Sequence, residues 1–333
     1  MPTADRYAGC LIGQCLGDAL GFVVEGEPAA ACRAYGRDYL RAGRGGEIGR
    51  DPFPFGQYTD DSQLARELLI SLCERGGLVP EDFAGRVARI YTSGAVVGYG
   101  RTSMAAAERL ARGVPWDQAA ETAPKASNGS AMRAAPIGLR FAKDLAAVAD
   151  AAQRQSAITH ADAKCHAAAV VVAATVALAL RDDRLAAGTI LGALSTLVRD
   201  IDRDTAAGVD SMPDWLTLDP SDAAGAIGHL AAPEDRHDDD ADGGIGPLAL
   251  PSVLWSLYAF LRTPDDYWET VCTAIEVGGD VDTTAAMAGA MSGARLGLAA
   301  IPRRLAARLN DRGAWTYDEL VALAQSCHAE VFG

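Results

Sequence analysis

Along most of the chain apolar residues return every three or four positions, and no stretch sustains the every-second-residue alternation of a half-buried strand, so the pattern predicts helices throughout. Gly9, Gly13, Gly17 and Gly21 recur at a spacing of four, which sets them on one side of a first helix ending near Gly21, where another backbone can come close. Leu64, Leu68, Leu69 and Leu72 form the stripe of a second helix that begins after Thr59-Asp60-Asp61 and stops at Gly76-Gly77. Between these two helices, residues 26–58 are rich in Gly and Pro without a sustained period, and they read as a long loop. Further helices are predicted near 80–93, 102–112, 145–156, 162–181, 186–201, 251–262, 264–277 and 283–298, the last carrying Gly289, Gly293 and Gly297 at the same spacing as the first. The expected fold class is all-α, one compact multi-helix domain over residues 1–333.

Composition sharpens this picture. The AVILMFWYC set supplies 49% of the residues but aromatics only 6%, so small aliphatic side chains fill the interior and helices can pack closely. The apolar run Cys165–Leu180, between Lys164 and Arg181, is short and alanine-rich for a membrane span and reads as a buried central helix. The net charge of −14 is largely local, because residues 200–243 hold thirteen Asp and Glu against Arg203 and Arg236. The region 203–247 is therefore expected to be an acidic insertion of low order. No basic tract of the kind that neutralises a phosphate backbone is present, which argues against sequence-specific nucleic-acid binding. Seven scattered cysteines without a C-x-x-C pair read as small core residues rather than a disulfide framework. With no cationic leader before the glycine-interrupted N-terminus, the expected location is the cytoplasm.

Two short segments concentrate hard oxygen ligands. Thr59-Asp60-Asp61 and Asp280-Val281-Asp282-Thr283 each combine a hydroxyl with two carboxylates at a predicted helix start, and neither has a Cys or His nearby. Either alone also serves as a helix cap, worth roughly 1 kcal/mol. Together they would repel unless cations lay between them, and an all-oxygen donor set suits Mg²⁺, Mn²⁺ or Ca²⁺ rather than zinc. Asp280 to Thr284 also fits the D-x-D-x-T pattern of haloacid-dehalogenase-like phosphatases. That motif should end a β-strand early in an α/β chain, and here it follows a helix and two glycines near the C-terminus. Ser127-Asn128-Gly129-Ser130-Ala131 is a turn of small residues whose amides could cradle a phosphate, or an ordinary Asn-Gly turn. His160 precedes the long apolar helix, where a histidine is commonly structural. There is no Walker A sequence and no G-x-G-x-x-G fingerprint.

Taken in order, these segments resemble the ADP-ribosylglycohydrolase family. The likeness runs through Gly17-Asp18-Ala19-Leu20-Gly21 with Glu25 beyond it, T-D-D-S-Q at 59–63, S-N-G-S-A-M-R at 127–133, I-T-H at 158–160, G-G-D-V-D-T-T at 278–284, and Ala300-Ile301-Pro302. The resemblance implies an all-α domain with a dinuclear cleft holding two Mg²⁺, or Mn²⁺ in their place. Thr59, Asp60, Asp61, Asp280, Asp282 and Thr283 match the metal ligands. Glu25 matches an acidic residue on a mobile loop near the metals, and with Asp61 and Asp282 it forms the catalytic candidates, the choice of base staying open. Asn128, Gly129, Ser130 and Ala131 match the segment that holds the diphosphate, and His160 a residue beside the ADP-ribose.

The implied activity is hydrolysis of the glycosidic bond between ADP-ribose and a modified protein, nucleic acid or small molecule, releasing ADP-ribose, with no membrane partner. The alternative is a catalytically silent, crystallin-like or ADP-ribose-binding protein of the same fold. The chain departs from relatives that act on modified arginine: the stretch Val97 to Thr102 lacks the acidic residue they carry before a G-x-T element.

Overall fold

A computed structural model of the chain describes residues 2–98, 100–120, 126–181, 186–230 and 244–332. The first helix, α1 (Ala4–Gly21), is buried from Tyr7 onward and starts at Thr3, whose side chain accepts the Arg6 amide. Its glycine face meets α14 (Val281–Leu296). A Cβ on Gly9, Gly13, Gly17 or Gly21 would collide with backbone of Gly293, Gly289, Ala285 or Val281 respectively. As one number rises the other falls, so the two helices run antiparallel in backbone contact, an approach that side chains larger than hydrogen would prevent. The periodic glycines of both segments therefore face each other.

Around this pair lie α3 (Asp60–Arg75), α4 (Pro80–Thr92), α5 (Arg101–Ala111), α6 (Ala135–Arg140), α7 (Leu145–Ala157), α8 (Ala163–Arg181), α9 (Ala187–Val198), α12 (Ala249–Arg262) and α13 (Tyr267–Glu276). No β-strand occurs among the described residues. Helix α3 ends where Gly76 takes a left-handed conformation (φ 68°), the stop its Gly-Gly signal predicts. Helix α8 is long and apolar enough to cross a bilayer, yet 78% of its apolar window is buried in the domain, as expected of a central core helix.

The expected disorder of 203–247 needs correction. Residues Arg203–Trp215 form α10 and Pro220–Gly228 form α11, capped by the side chains of Asp202 and Asp219. Their acids face outward while Ala206, Val209, Met212, Ala223 and Ile227 are buried, so the charge marks the wet face of amphipathic helices. Residues 231–243 of that expectation lie outside the described residues. The loop over 26–58 contains a short helix, α2 (Ala29–Tyr35), followed by a π-helical turn at Gly36–Leu40. A short α15 (Arg303–Ala306) and a final α16 (Tyr317–Phe332) complete the chain.

Helix α16 also corrects the reading of the cysteines. It lies against α3 and brings Cys327 to Cys73, with Cα atoms 5.5 Å apart, and the two form a disulfide across 254 residues of sequence. Such a separation hides the pairing from any local motif. The other five cysteines are free and buried, in keeping with their expected role as core residues.

Candidate active site

Two helix N-termini converge at the site. Thr59 is the N-cap of α3, with Asp60 and Asp61 in its first turn, and Asp280 is the N-cap of α14, with Asp282 and Thr283 in its first turn. Carboxylates are favoured there by the unpaired amides and the positive end of the helix dipole. The α1–α14 contact and the seat of α3 on α1 bring the two starts together. The link is Asp18, fully buried within α1, whose carboxylate accepts the Thr59 amide at 2.9 Å and the Ser62 amide at 3.1 Å. By capping α3 from a neighbouring helix, Asp18 fixes where Asp60 and Asp61 point.

The acidic residues line a cavity of about 690 Å³, within the range of small-molecule sites. Glu25, Asp60, Asp61, Asp280, Asp282 and Thr283 line it together with Ser127, Asn128 and Gly129 of the turn. One carboxylate oxygen each from Glu25, Asp280 and Asp282 lies within 4.8 Å of the others, a spacing suited to a shared cation. Asp61 Oδ1 is buried without a hydrogen-bond partner in the protein, while its Oδ2 accepts the Thr59 hydroxyl at 3.1 Å. Tyr91 donates to Asp60 at 3.0 Å. Asn128 donates to Asp280 at 2.5 Å and to Ser252 Oγ at 3.0 Å, which ties the small-residue turn to the acidic cluster.

Burial dominates the electrostatics. It pushes the Asp60 carboxyl up to about 7, with the neighbouring Glu25 and Asp280 adding to the rise and the Tyr91 hydrogen bond opposing it. Asp61 and Asp282 are raised well above the carboxylate range by burial and by the acids around them. Asp18 is likewise pushed to about 7 by burial, although its amide and hydroxyl donors pull the other way. Glu25 is raised by burial and by Asp280 and is opposed by Arg50, whose guanidinium lies 3.3 Å from its carboxylate. Arg50 also donates to the carbonyl oxygens of Phe22 and Glu25, so it anchors the segment that carries Glu25.

The remaining sequence-derived residues fall into two groups. Gly129 lines the cavity, and its amide has no acceptor among the described residues, which leaves a donor for an anion. The side chains of Ser130 and Ala131 are buried behind the turn, Ser130 Oγ accepting from Ser156. His160 is not on the cavity lining. It stands behind the turn, with Nε2 3.0 Å from Ser127 Oγ and Nδ1 2.7 Å from Thr159 Oγ1. Burial, and then the nearby Arg133, lowers its pKa to about 3, so it is a neutral prop for the turn. Sequence reasoning assigned no role to Asp18 or Tyr91. Asp18 carries a signal, being an acid within the buried, largely apolar stretch of α1, whereas Tyr91 reaches Asp60 from α4 with nothing local to mark it.

The sequence profile of the ADP-ribosylglycohydrolase family matches residues 1–332. The chain belongs to this family. Among ADP-ribosylglycohydrolase relatives, human ADP-ribosylhydrolase ARH3 is 29% identical over 346 aligned positions, covering 98% of this chain and 93% of that protein. The Gallus gallus ADP-ribosylhydrolase ARH3 is 30% identical, covering 90% of this chain and 88% of its own length. A solved structure described as an ADP-ribosylglycohydrolase-related protein complex superposes with a TM-score of 0.74 at 27% identity, over 99% of both chains. The all-α fold and the family expected from the sequence are thus borne out.

Proposed function

We propose that the protein is a Mg²⁺-dependent hydrolase that removes ADP-ribose from a modified target by cleaving the glycosidic bond at its distal ribose. The observation that carries this reading is the meeting of Asp60 and Asp61 with Asp280, Asp282 and Thr283 in one cavity that the Asn128-Gly129 turn also lines. The donor set fits a hard cation: it is all oxygen, it includes the orphaned Asp61 Oδ1, and burial disfavours the ionised forms of Asp60, Asp61 and Asp282. Thr59, Asp60, Asp61, Asp280, Asp282 and Thr283 would hold two Mg²⁺, which when bound supply Lewis-acid stabilisation of charge on the sugar hydroxyls.

The chain's own residues divide the remaining work. The Gly129 amide binds the diphosphate, and glycine is needed there because a Cβ would stand 3.1 Å from the His160 ring and from the Ser103 hydroxyl. Asp18 and Asn128 hold the two acidic segments in register through the bonds described above. Glu25 is partly exposed and sits outside a helix, unlike Asp61 and Asp282, so it is our choice to take the proton from water as it attacks an oxocarbenium-like C1″. The stretch before Gly100-Arg101-Thr102 lacks the acid that relatives acting on arginine carry there, and Arg101 itself lines the cavity, so a departing guanidinium would meet a like charge. The proposed targets are therefore linkages other than ADP-ribosyl-arginine.

Thermal shift with ADP-ribose, Mg²⁺ and both together, followed by turnover on a panel of differently linked ADP-ribosylated substrates, tests this reading. Stabilisation by the pair and release of ADP-ribose are expected. Binding without turnover on every linkage would assign the chain to the silent class.

A further inference from the structure

Gln63 completes the T-D-D-S-Q stretch, yet the metal-ligand reading leaves it without a task. It is fully buried on α3, and each end of its amide is engaged. Its Oε1 accepts the Val97 amide at 2.9 Å, and its Nε2 donates to the Ala95 carbonyl at 3.0 Å and to Asp311 Oδ1 at 2.8 Å. The backbone that Gln63 grips runs directly into the cavity wall at Gly98. The Asp60 amide donates to the Val97 carbonyl at 2.8 Å, Gly98 lines the cavity, and a Cβ on Gly98 would stand 3.3 Å from Asp60 Oδ1.

This wall cannot hold its own shape. Gly94 and Gly98 both have positive φ (69° and 68°), and Gly100 follows, so the segment is rich in residues with wide backbone freedom. It is gripped from the other side by Arg312, whose two terminal nitrogens donate to the Gly94 carbonyl at 2.9 Å and the Val96 carbonyl at 3.1 Å. Both grips hang on one turn near the C-terminal end. Asp311 accepts from Gln63 and, through Oδ2, from Arg66 at 2.9 Å, while the Arg312 amide donates to Gln57 Oε1 at 2.8 Å. Arg312 itself adopts a φ of 52°, a conformation that non-glycine residues keep only where the surroundings impose it.

We infer that Gln63, Asp311 and Arg312 are positioning residues that fix the 94–98 wall of the cavity over Asp60, and so set substrate affinity from a turn more than two hundred residues away in sequence. What the cavity holds rests on the proposed function; the grip on the wall does not.

Arg312→Gly is the suitable variant, because Arg312 is exposed and glycine accepts its positive φ without cost, so the fold should be retained. Two readouts are compared with wild type. Amide hydrogen exchange across 94–98 should accelerate by about 10-fold with the rest of the protein and the melting temperature unchanged. ADP-ribose affinity, titrated calorimetrically with Mg²⁺ present, should weaken by about 10-fold, as when the competent wall is populated one tenth of the time. KM should rise with kcat largely kept, and Arg312→Lys, able to reach one carbonyl, should recover part of the loss. Exchange and affinity both at wild-type values would overturn the inference, as would faster exchange with unchanged affinity. If wild type itself does not bind ADP-ribose, the functional reading fails, and the exchange measurement still decides whether Arg312 holds the wall.

Discussion

Glu25 shares its space with Asp280 and Asp282 but lies outside a helix and is partly exposed, and its role is open to measurement. Glu25→Gln keeps the size of the side chain and removes the basic oxygen, so kcat should fall by roughly 10²-fold while ADP-ribose affinity changes little. Single-turnover hydrolysis and titration on one preparation check this, and an unchanged chemical rate would remove Glu25 from the mechanism. The buried acids make a second prediction. Asp60 ionises near 7 when folded and near 3.8 as an ordinary side chain, so between those values the folded protein binds more protons than the unfolded chain. Stability of the metal-free protein should therefore be greatest below about 4 and decline as pH rises to about 7, as far as this group is concerned. A divalent cation binds the ionised carboxylates, so the rise in melting temperature on adding Mg²⁺ should be larger at neutral pH than at pH ~5. Equal increments at both pH values would contradict a carboxylate cation site. At this scale the sequence disclosed the acids, because each cluster is local and chemically distinctive. It did not disclose that Asn128 bonds Asp280, that His160 sits behind the turn, or that Asp18 caps a helix other than its own, because those relations exist only across space.

Helix starts and helix contacts govern where those side chains go. The α1–α14 pair sets the distance between the Thr59 and Asp280 segments, so a methyl group in that contact should disturb both stability and metal binding. In Gly17→Ala the new Cβ would strike the Ala285 carbonyl, backbone that cannot swing aside. A loss of about 1–3 kcal/mol is expected from overpacking, together with weaker Mg²⁺ affinity, measured by denaturant unfolding and calorimetry. Gly192→Ala in α9 is the control: nothing lies within 4 Å of its Cβ, so it should be neutral or stabilising by about 0.5–1 kcal/mol. The glycine spacing showed this contact in advance because a period of four has a direct geometric meaning. Other elements escaped for identifiable reasons. Helix α16 has buried Tyr317, Leu320, Ala324 and Cys327 at helical spacing, a short apolar stripe among many polar residues. In α10 and α11 the density of acids masked an apolar face that is equally regular.

For the molecule as a whole, this makes α10 and α11 part of the core and not a dispensable insertion. Removing residues 204–228 would strip Val209, Met212 and Ile227 from the core, at about 1.5–3 kcal/mol for each large side chain. The truncated chain should melt far below wild type or fail to fold, whereas an unchanged melting temperature would mean that α10 and α11 add nothing to the core. The glycine-lined pairing of α1 with α14 has a consequence for biogenesis as well. Helix α1 leaves the ribosome long before its partner, which begins only at Val281. At roughly 5–20 residues per second, α1 waits on the order of tens of seconds with its apolar surface uncovered. Until then the acids of α3 have no opposite wall. The nascent chain is thus exposed to misassembly for nearly its entire synthesis, and its yield in a cell should depend on chaperone capacity more than the stability of the finished domain would suggest.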